Sequence, residues 1–330
     1  MKNATLYYSV GALLYCPANN ESIAHSLIHE KFGNKFSLAL CLEDTIRDDG
    51  VADAESKLVR SLTDVYKERQ NHDFFLPKIF IRVRASEQIA RLQDSLGDVF
   101  ELVTGFIVPK FSLDNADEYI DAIVKANERV NRPVYMMPVY ESASMIDLRN
   151  RYHILYSLKE KLDAIEELVL NIRVGGNDLC HMFGYRRHVT ETIHQITPIA
   201  NIFSDIITVY GMDYVCSGPV WEYYNGAQWK NGLIHELSLD KLAGFTGKTV
   251  IHPNQIEIVN EAYKVSRYDY EDAKLILNWT EDNNSMVCGS SSKERMNEYK
   301  THWRWAMQIM HLAEHYGIRE QSISELKHVI

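Results

Sequence analysis

The 330-residue sequence predicts an α/β fold, a (β/α)8 TIM barrel with a C-terminal helical extension. Three observations predict it. Eight short apolar, β-prone runs recur along the chain, and each but the last is followed by a helical pattern. Their spacing is that of a βα unit, as a parallel barrel requires. No GxGxxG stands behind any run, which favours a barrel over a doubly wound dinucleotide-binding sheet. Past about residue 265 the alternation gives way to polar helical patterns. Residues 1–265 are therefore assigned to the barrel, and 266–330 to a helical extension or lid that packs on the barrel or on a neighbouring subunit.

The first run is VGALLYC (10–16), stopped by Pro17 and the Asn19-Asn20 turn; the polar-faced helix ESIAHSLIHEKF follows. FSLALCLED (36–44) ends in Glu43 and Asp44. VADAESKLVRSLTDVYKERQ has the 3.6-residue apolar spacing of a long helix. LPKIFIRVR (76–84) closes on Arg82 and Arg84, and VTGFIVPK (103–110) on Pro109 and Lys110. DNADEYIDAIVKANERVN has an Asp-rich start suited to a helix N-terminus and an apolar stripe through Ile120, Ile123 and Val124. VYMMPVYES (134–142) and NIRVGGNDL (171–179) are the fifth and sixth runs, carrying Glu141 and Asp178. TPIANIFSDIITVYG is a helix with Pro198 in its first turn and Gly211 at its end. DYVCSGPV (213–220) and GKTVIHP (247–253) complete the eight. In the extension, KVSRYDYEDAKLILNWTEDNN is helix-like, SMVCGSSSKE is a Ser/Gly-rich connector, and the last helix carries Trp303, Trp305, Met307 and Met310.

A hydrophobic content of 46% supports a large core, and a formal charge of -10 argues against nucleic acid or an anionic membrane as the main partner. No run reaches the ~18 apolar residues of a membrane span. Five cysteines lie far apart without a CxxC, and no small-residue cleavage site follows the first apolar run. Both point to reduced thiols in a cytoplasmic protein.

The chemistry gathers where the strands end. A lone carboxylate after an apolar run is most often a helix cap. Glu141 and Asp178 lie one βα unit apart, beside the small residues Ser142, Ala143, Gly175 and Gly176, and such a pair suits a hard cation such as Mg²⁺. Glu43 and Asp44 add two acids that hold water around the ion or face the substrate, and four converging carboxylates would repel without a cation. Arg82 is placed to grip a substrate carboxylate or steady a developing enolate, with Arg84 and Lys110 beside it. A small carboxylated molecule is the expected substrate. GFTGKT (244–249) mimics a P-loop but has two residues between its glycines where four are needed, and it enters a strand. It is taken as a turn. His25 and His29, four apart on a helix, lack a third zinc ligand and are taken as a solvated face; His181 and His252 lie near the acids and orient neighbours.

Taken in order, these strand ends resemble the citrate lyase β-subunit-like branch of the metal-dependent C–C bond lyases and aldolases. LLYCPANN is similar to that family's LLFVPGNN strand, LALCLEDTI…KLVR to its LEDAV…K…AR block, IRVR to VRVN, and GFIVPK to its Gly-x-x-x-Pro-Lys strand. YESA and VGGNDL resemble its metal-binding segments, and FTGKTVIHPNQIEIVN its Gly-Lys-x-x-Ile-His-Pro-x-Gln-Ile block. The tail resembles TIM-barrel C–C bond lyases encoded beside tellurite-resistance genes. The resemblance implies a TIM barrel, Mg²⁺ held by Glu141 and Asp178, cleavage or formation of a C–C bond through a metal-stabilised enolate, and homo-oligomers, trimeric or hexameric. It also implies that Glu298, reaching a neighbour's site, serves as general acid or base. Members that use CoA carry basic residues around the first strand; SVGALLYCPANNESIAHSLI has none, so CoA is not expected. Arg84 stands where Asn is usual and suggests a more anionic or differently shaped substrate.

Two alternatives remain open at the level of sequence. Lys110 is positioned for a Schiff-base aldolase. A non-catalytic barrel, serving as a binding subunit of a multiprotein pathway, also fits the altered third strand.

Overall fold

Runs that are apolar throughout and separated by helices must be buried on both faces, which a parallel sheet wrapped by helices provides. In the computed structural model, which describes residues 4–279 and 285–319, the strands are β1 (Ala12–Pro17), β2 (Ser37–Cys41), β3 (Lys78–Arg82), β4 (Val103–Val108), β5 (Tyr135–Tyr140), β6 (Ile172–Val174), β7 (Cys216–Ser217) and β8 (Lys248–Val250). Each pairs in parallel with its sequence neighbour from β1 to β7, and β8 pairs with β1. Gly218, just past β7, bridges to Lys248 and donates its N–H to Gly247 O at 3.0 Å. The ring therefore closes through one bridge instead of a ladder, and the fold is a TIM barrel.

The helices follow the sequence period. Val51–Arg69 buries Ala54, Leu58, Leu62 and Val65, residues on one face of a 3.6-residue helix. Burying each of the two leucines stabilises by about 1.5–3 kcal/mol. Thr197–Tyr210 starts with Pro198 in its first turn and is capped by Gly211. The sixth run departs from its apolar length. β6 stops at Val174, and the helix Gly176–Phe183 begins at once, so Asp178 sits in a helix's first turn rather than at a strand tip. Two glycines favour neither continuing the strand nor its pairing, and an acid suits the positive end of a helix.

The glycine-rich block before β8 is structural. Gly247 takes φ 75°, and a Cβ there would meet Gly11 O at 2.7 Å. Lys248 is fully buried and donates from Nζ to Glu236 Oε1 (2.9 Å) and Asp240 Oδ2 (2.6 Å), both on the helix Trp229–Ala243. Arg187 pairs with Glu236 at 3.1 Å, and His194 Nε2 lies 2.7 Å from Asp240 Oδ1. Gln255 then fixes the following loop, accepting from Ile251 N and His252 N and donating to Trp221 O and Tyr223 O.

The chain divides into two compact units. Val10–Val259 form the barrel, and residues 4–9 join those from 260 onward in the second. Within the second unit, Arg267–Leu277 and Tyr299–Tyr316 pack through Ala273, Ile276 and Ala306, with Trp305, Ile309 and Met310 around them. The small alanines let the helices approach. Arg295 ties Asp272 (2.9 Å) and Asp269 (2.6 Å) beneath the Val287–Gly289 and Met296–Glu298 hairpin. The expected helix through Asn284 and the expected extension to residue 330 fall partly on 280–284 and 320–330, outside the described residues. Among the described residues no helix is long and apolar enough to cross a membrane. All five cysteines are free, and four are buried.

Candidate active site

Parallel strands bring their C-terminal ends to one rim, and side chains two apart on a strand share a face. Val139 and Glu141, Arg173 and Gly175, and Thr249 and Ile251 accordingly line one cavity of about 220 Å³, with Tyr15 from β1 and Arg82 from β3. Asp178 and Asp44 line it too. The two acids singled out in the sequence thus face a common space. Their proximity follows from register. Tyr140 pairs with Val174, which places Glu141 beside Gly175. A Cβ on Gly175 would fall 2.0 Å from Glu141 Oε2, so only glycine leaves that oxygen its room.

Arg82 is the hub of the charges. Its Nη2 lies 2.7 Å from Glu43 Oε2, 3.0 Å from Asp44 Oδ2 and 2.9 Å from Glu141 Oε1. Its Nε is buried without a hydrogen-bond partner. Glu141 Oε1 also accepts the Lys110 backbone N–H at 3.1 Å, for which Lys110 takes the left-handed φ of 48°. Burial pushes the Glu141 carboxyl up to about 8; Arg82 opposes this, and the charge of Asp178 adds to it. An acid destabilised in this way gains from a cation.

The remaining sequence candidates separate clearly. Lys110 Nζ pairs with Glu43 and lies 3.1 Å from Asp44. Burial disfavours its ammonium form, but these bonds outweigh burial and hold its pKa above the ordinary lysine value. A Schiff-base lysine needs the neutral amine, so this pairing weighs against that alternative. Arg84 does not line the cavity. Its guanidinium binds Leu42 O (2.7 Å), Glu43 O (3.0 Å), Ile46 O and Asp48 Oδ1, pinning the loop after β2. Glu298 lies in the second unit, exposed before Tyr299–Tyr316, where Thr301 Oγ1 donates to Oε2 at 2.9 Å. His252 stacks on Tyr224 at 4.7 Å and accepts from Asn254 N, while His181 is exposed.

Four polar cavity residues escaped the sequence reasoning: Tyr15, Arg173, Asn177 and Thr249. Tyr15 and Thr249 carry no distinguishing pattern. Arg173 did leave a signal, since an arginine inside an apolar strand run is rare unless it has a task.

Among the described residues no group of three His, Cys, Asp or Glu side chains is gathered for a metal. Magnesium does not require one, because it binds through one or two carboxylates and keeps several waters. Glu141 and Asp178, beside the space that Gly175 leaves open, are a donor set that fits it.

The model of a family described as C–C bond lyases of the TIM-barrel fold matches residues 4–318. The chain belongs to this family. Over 54 residues it is 37% identical to the citrate lyase β subunit of Haemophilus influenzae, a match that spans 16% of the chain and 19% of that subunit. Two solved structures similar in fold are a citrate lyase from Burkholderia xenovorans (TM-score 0.69, 15% identity, 95% of this chain and 94% of that one) and Mycobacterium tuberculosis CitE in complex with magnesium, acetoacetate and coenzyme A (TM-score 0.60, 15% identity, 93% and 99%). CitE has also been solved with magnesium and pyruvate (TM-score 0.52, 16% identity, 79% and 93%). The C–C bond lyase family thus spans both units of the chain.

Proposed function

We propose that this chain is a magnesium-dependent carbon–carbon lyase or aldolase that acts on a small free acid of the 2-oxo class. The observation that carries the proposal is the shared cavity of Glu141 and Asp178, with Arg82 bridging Glu141 to Glu43 and Asp44. The magnesium of the CitE complexes supports the metal, and the pyruvate of one of them supports the substrate class. Glu141 and Asp178 would hold the ion. When bound, it supplies a Lewis acid that polarises the substrate carbonyl.

The chain's own residues supply the rest. Arg82, fixed by three carboxylates, sets a positive charge at the cavity wall that attracts an anionic substrate and keeps the acids from repelling one another. Lys110 neutralises Glu43 and Asp44, so their oxygens stay oriented. The barrel walls around Val139, Val174 and Val220 exclude water, which strengthens each of these interactions. A cavity of about 220 Å³ lies below the roughly 300–1,000 Å³ usual for drug-sized ligands, which favours a free acid over a CoA thioester. In this reading the chain forms a homo-oligomer, and Glu298 acts as a proton donor in a neighbouring copy's site.

Deuterium exchange tests the proposal without the natural substrate. Pyruvate incubated with the protein and Mg²⁺ in D₂O should lose its methyl proton signal, and EDTA or Glu141→Gln should stop the loss. Exchange that persists in EDTA would remove the metal from the chemistry. No exchange with pyruvate or any other 2-oxo acid would favour the non-catalytic alternative.

A further inference from the structure

Arg173, the one charged residue of β6, is unaccounted for by the metal and its acids. It is 1% exposed and points into the barrel, lining the cavity. Nη2 donates to Thr249 Oγ1 at 2.5 Å, Nη1 reaches Asn171 Oδ1 only at 3.4 Å, and a further bond goes to Tyr15. All three partners are neutral. Among the described residues no carboxylate pairs with Arg173, and the charged side chain that bears on it is Arg82, a like charge.

A buried guanidinium without a counter-charge is costly, and space-filling alone would be met by leucine or methionine. Every other buried cation of the barrel unit described above has acids against it: Lys248 has Glu236 and Asp240, Arg187 has Glu236, and Arg82 has three carboxylates. Arg173 instead has an open cavity. Its planar fork matches a carboxylate in two bonds.

We propose that Arg173, steadied by Thr249 and Tyr15, binds a second carboxylate of the substrate. The substrate class is then a short dicarboxylic 2-oxo acid, its carbonyl end toward Glu141 and Asp178 and its far carboxylate on β6. This inference rests on the proposed lyase site. It accounts for the missing counter-charge, since the substrate brings it.

The test uses the full chain with Mg²⁺, titrated by calorimetry with pyruvate, which has one carboxylate, and with freshly dissolved oxaloacetate, which has two. The parent should prefer oxaloacetate by at least about tenfold, because a charge-assisted bidentate pair is among the stronger polar contacts. Arg173→Gln should abolish that preference and leave pyruvate affinity within about threefold. An undiminished preference in Arg173→Gln overturns the proposal. If that variant fails to fold, Arg173→Lys decides: a point charge in place of the fork should reduce the preference by at least about threefold, and an unchanged preference counts against it. A parent that binds Mg²⁺ but does not distinguish the two acids overturns this inference and leaves the metal reading standing. A parent that binds no Mg²⁺ overturns the metal reading, and Arg173 is then judged by the same comparison without metal.

Discussion

Arg82 Nη2 lies 2.9 Å from Glu141 Oε1, an ion pair between two residues that are only 8% and 4% exposed. The pair joins the third strand's end to the fifth's. It opposes the burial that, with the nearby acids, still leaves the Glu141 carboxyl up at about 8, so a bound cation is what favours its charged form. Removing Arg82 leaves Glu141, Glu43 and Asp44 facing one another, and breaking a buried pair typically costs about 3–5 kcal/mol. Arg82→Met should lower unfolding stability by that order in EDTA, with part of the loss recovered when Mg²⁺ is added. Denaturant unfolding with and without the ion measures this. A variant as stable as the parent would show that the three carboxylates do not depend on Arg82.

Gly175 offers a steric test. Its Cβ position is 2.0 Å from Glu141 Oε2, so Gly175→Ala must displace that oxygen. The expected outcome is a folded protein with Mg²⁺ affinity reduced about 10–100-fold, the range found when the surroundings of a metal ligand are disturbed. Near-ultraviolet circular dichroism checks the fold, and calorimetry checks the affinity. Parent-like binding would mean that Oε2 takes no part.

Lys248 should behave in the opposite way. Breaking its buried contacts with Glu236 and Asp240 through Lys248→Met should cost about 3–5 kcal/mol of stability. Mg²⁺ affinity, measured on the folded fraction at low temperature, should stay within about threefold of the parent. A large loss of affinity with unchanged stability would give the Gly-Lys block a chemical role.

How much of this the sequence disclosed depends on which physical signal each residue leaves. Strand runs such as FSLALC and YMMPVY announce burial on both faces, so the barrel and the rim that carries Glu43, Arg82 and Glu141 were legible. Asp178 was found for its pairing with Glu141, but on a helix turn, because two glycines end the sheet before it. Arg84 read as a substrate contact since it also closes the third run. Three backbone carbonyls of the loop after β2 claim it instead, and such carbonyls leave no trace in side-chain pattern. Arg173 was passed over for the same reason in reverse: its partners, Thr249 and Tyr15, come from β8 and β1, which only barrel closure brings near β6.

Arg84 therefore gives a further expectation. Arg84→Ala should loosen the 42–48 loop and raise its amide exchange, with turnover lowered only through the Glu43 and Asp44 that the loop carries. Hydrogen exchange followed by mass spectrometry reads this out. Unchanged protection of that loop would contradict the clamp.

The most direct test of the account is the binding of magnesium itself. Calorimetric titration of the parent chain with Mg²⁺ should show one site, and Glu141→Gln and Asp178→Asn should each weaken it by at least about tenfold while leaving the fold intact. If both variants bound the ion as tightly as the parent, the two acids would not share it, and the proposed lyase chemistry would lose its foundation.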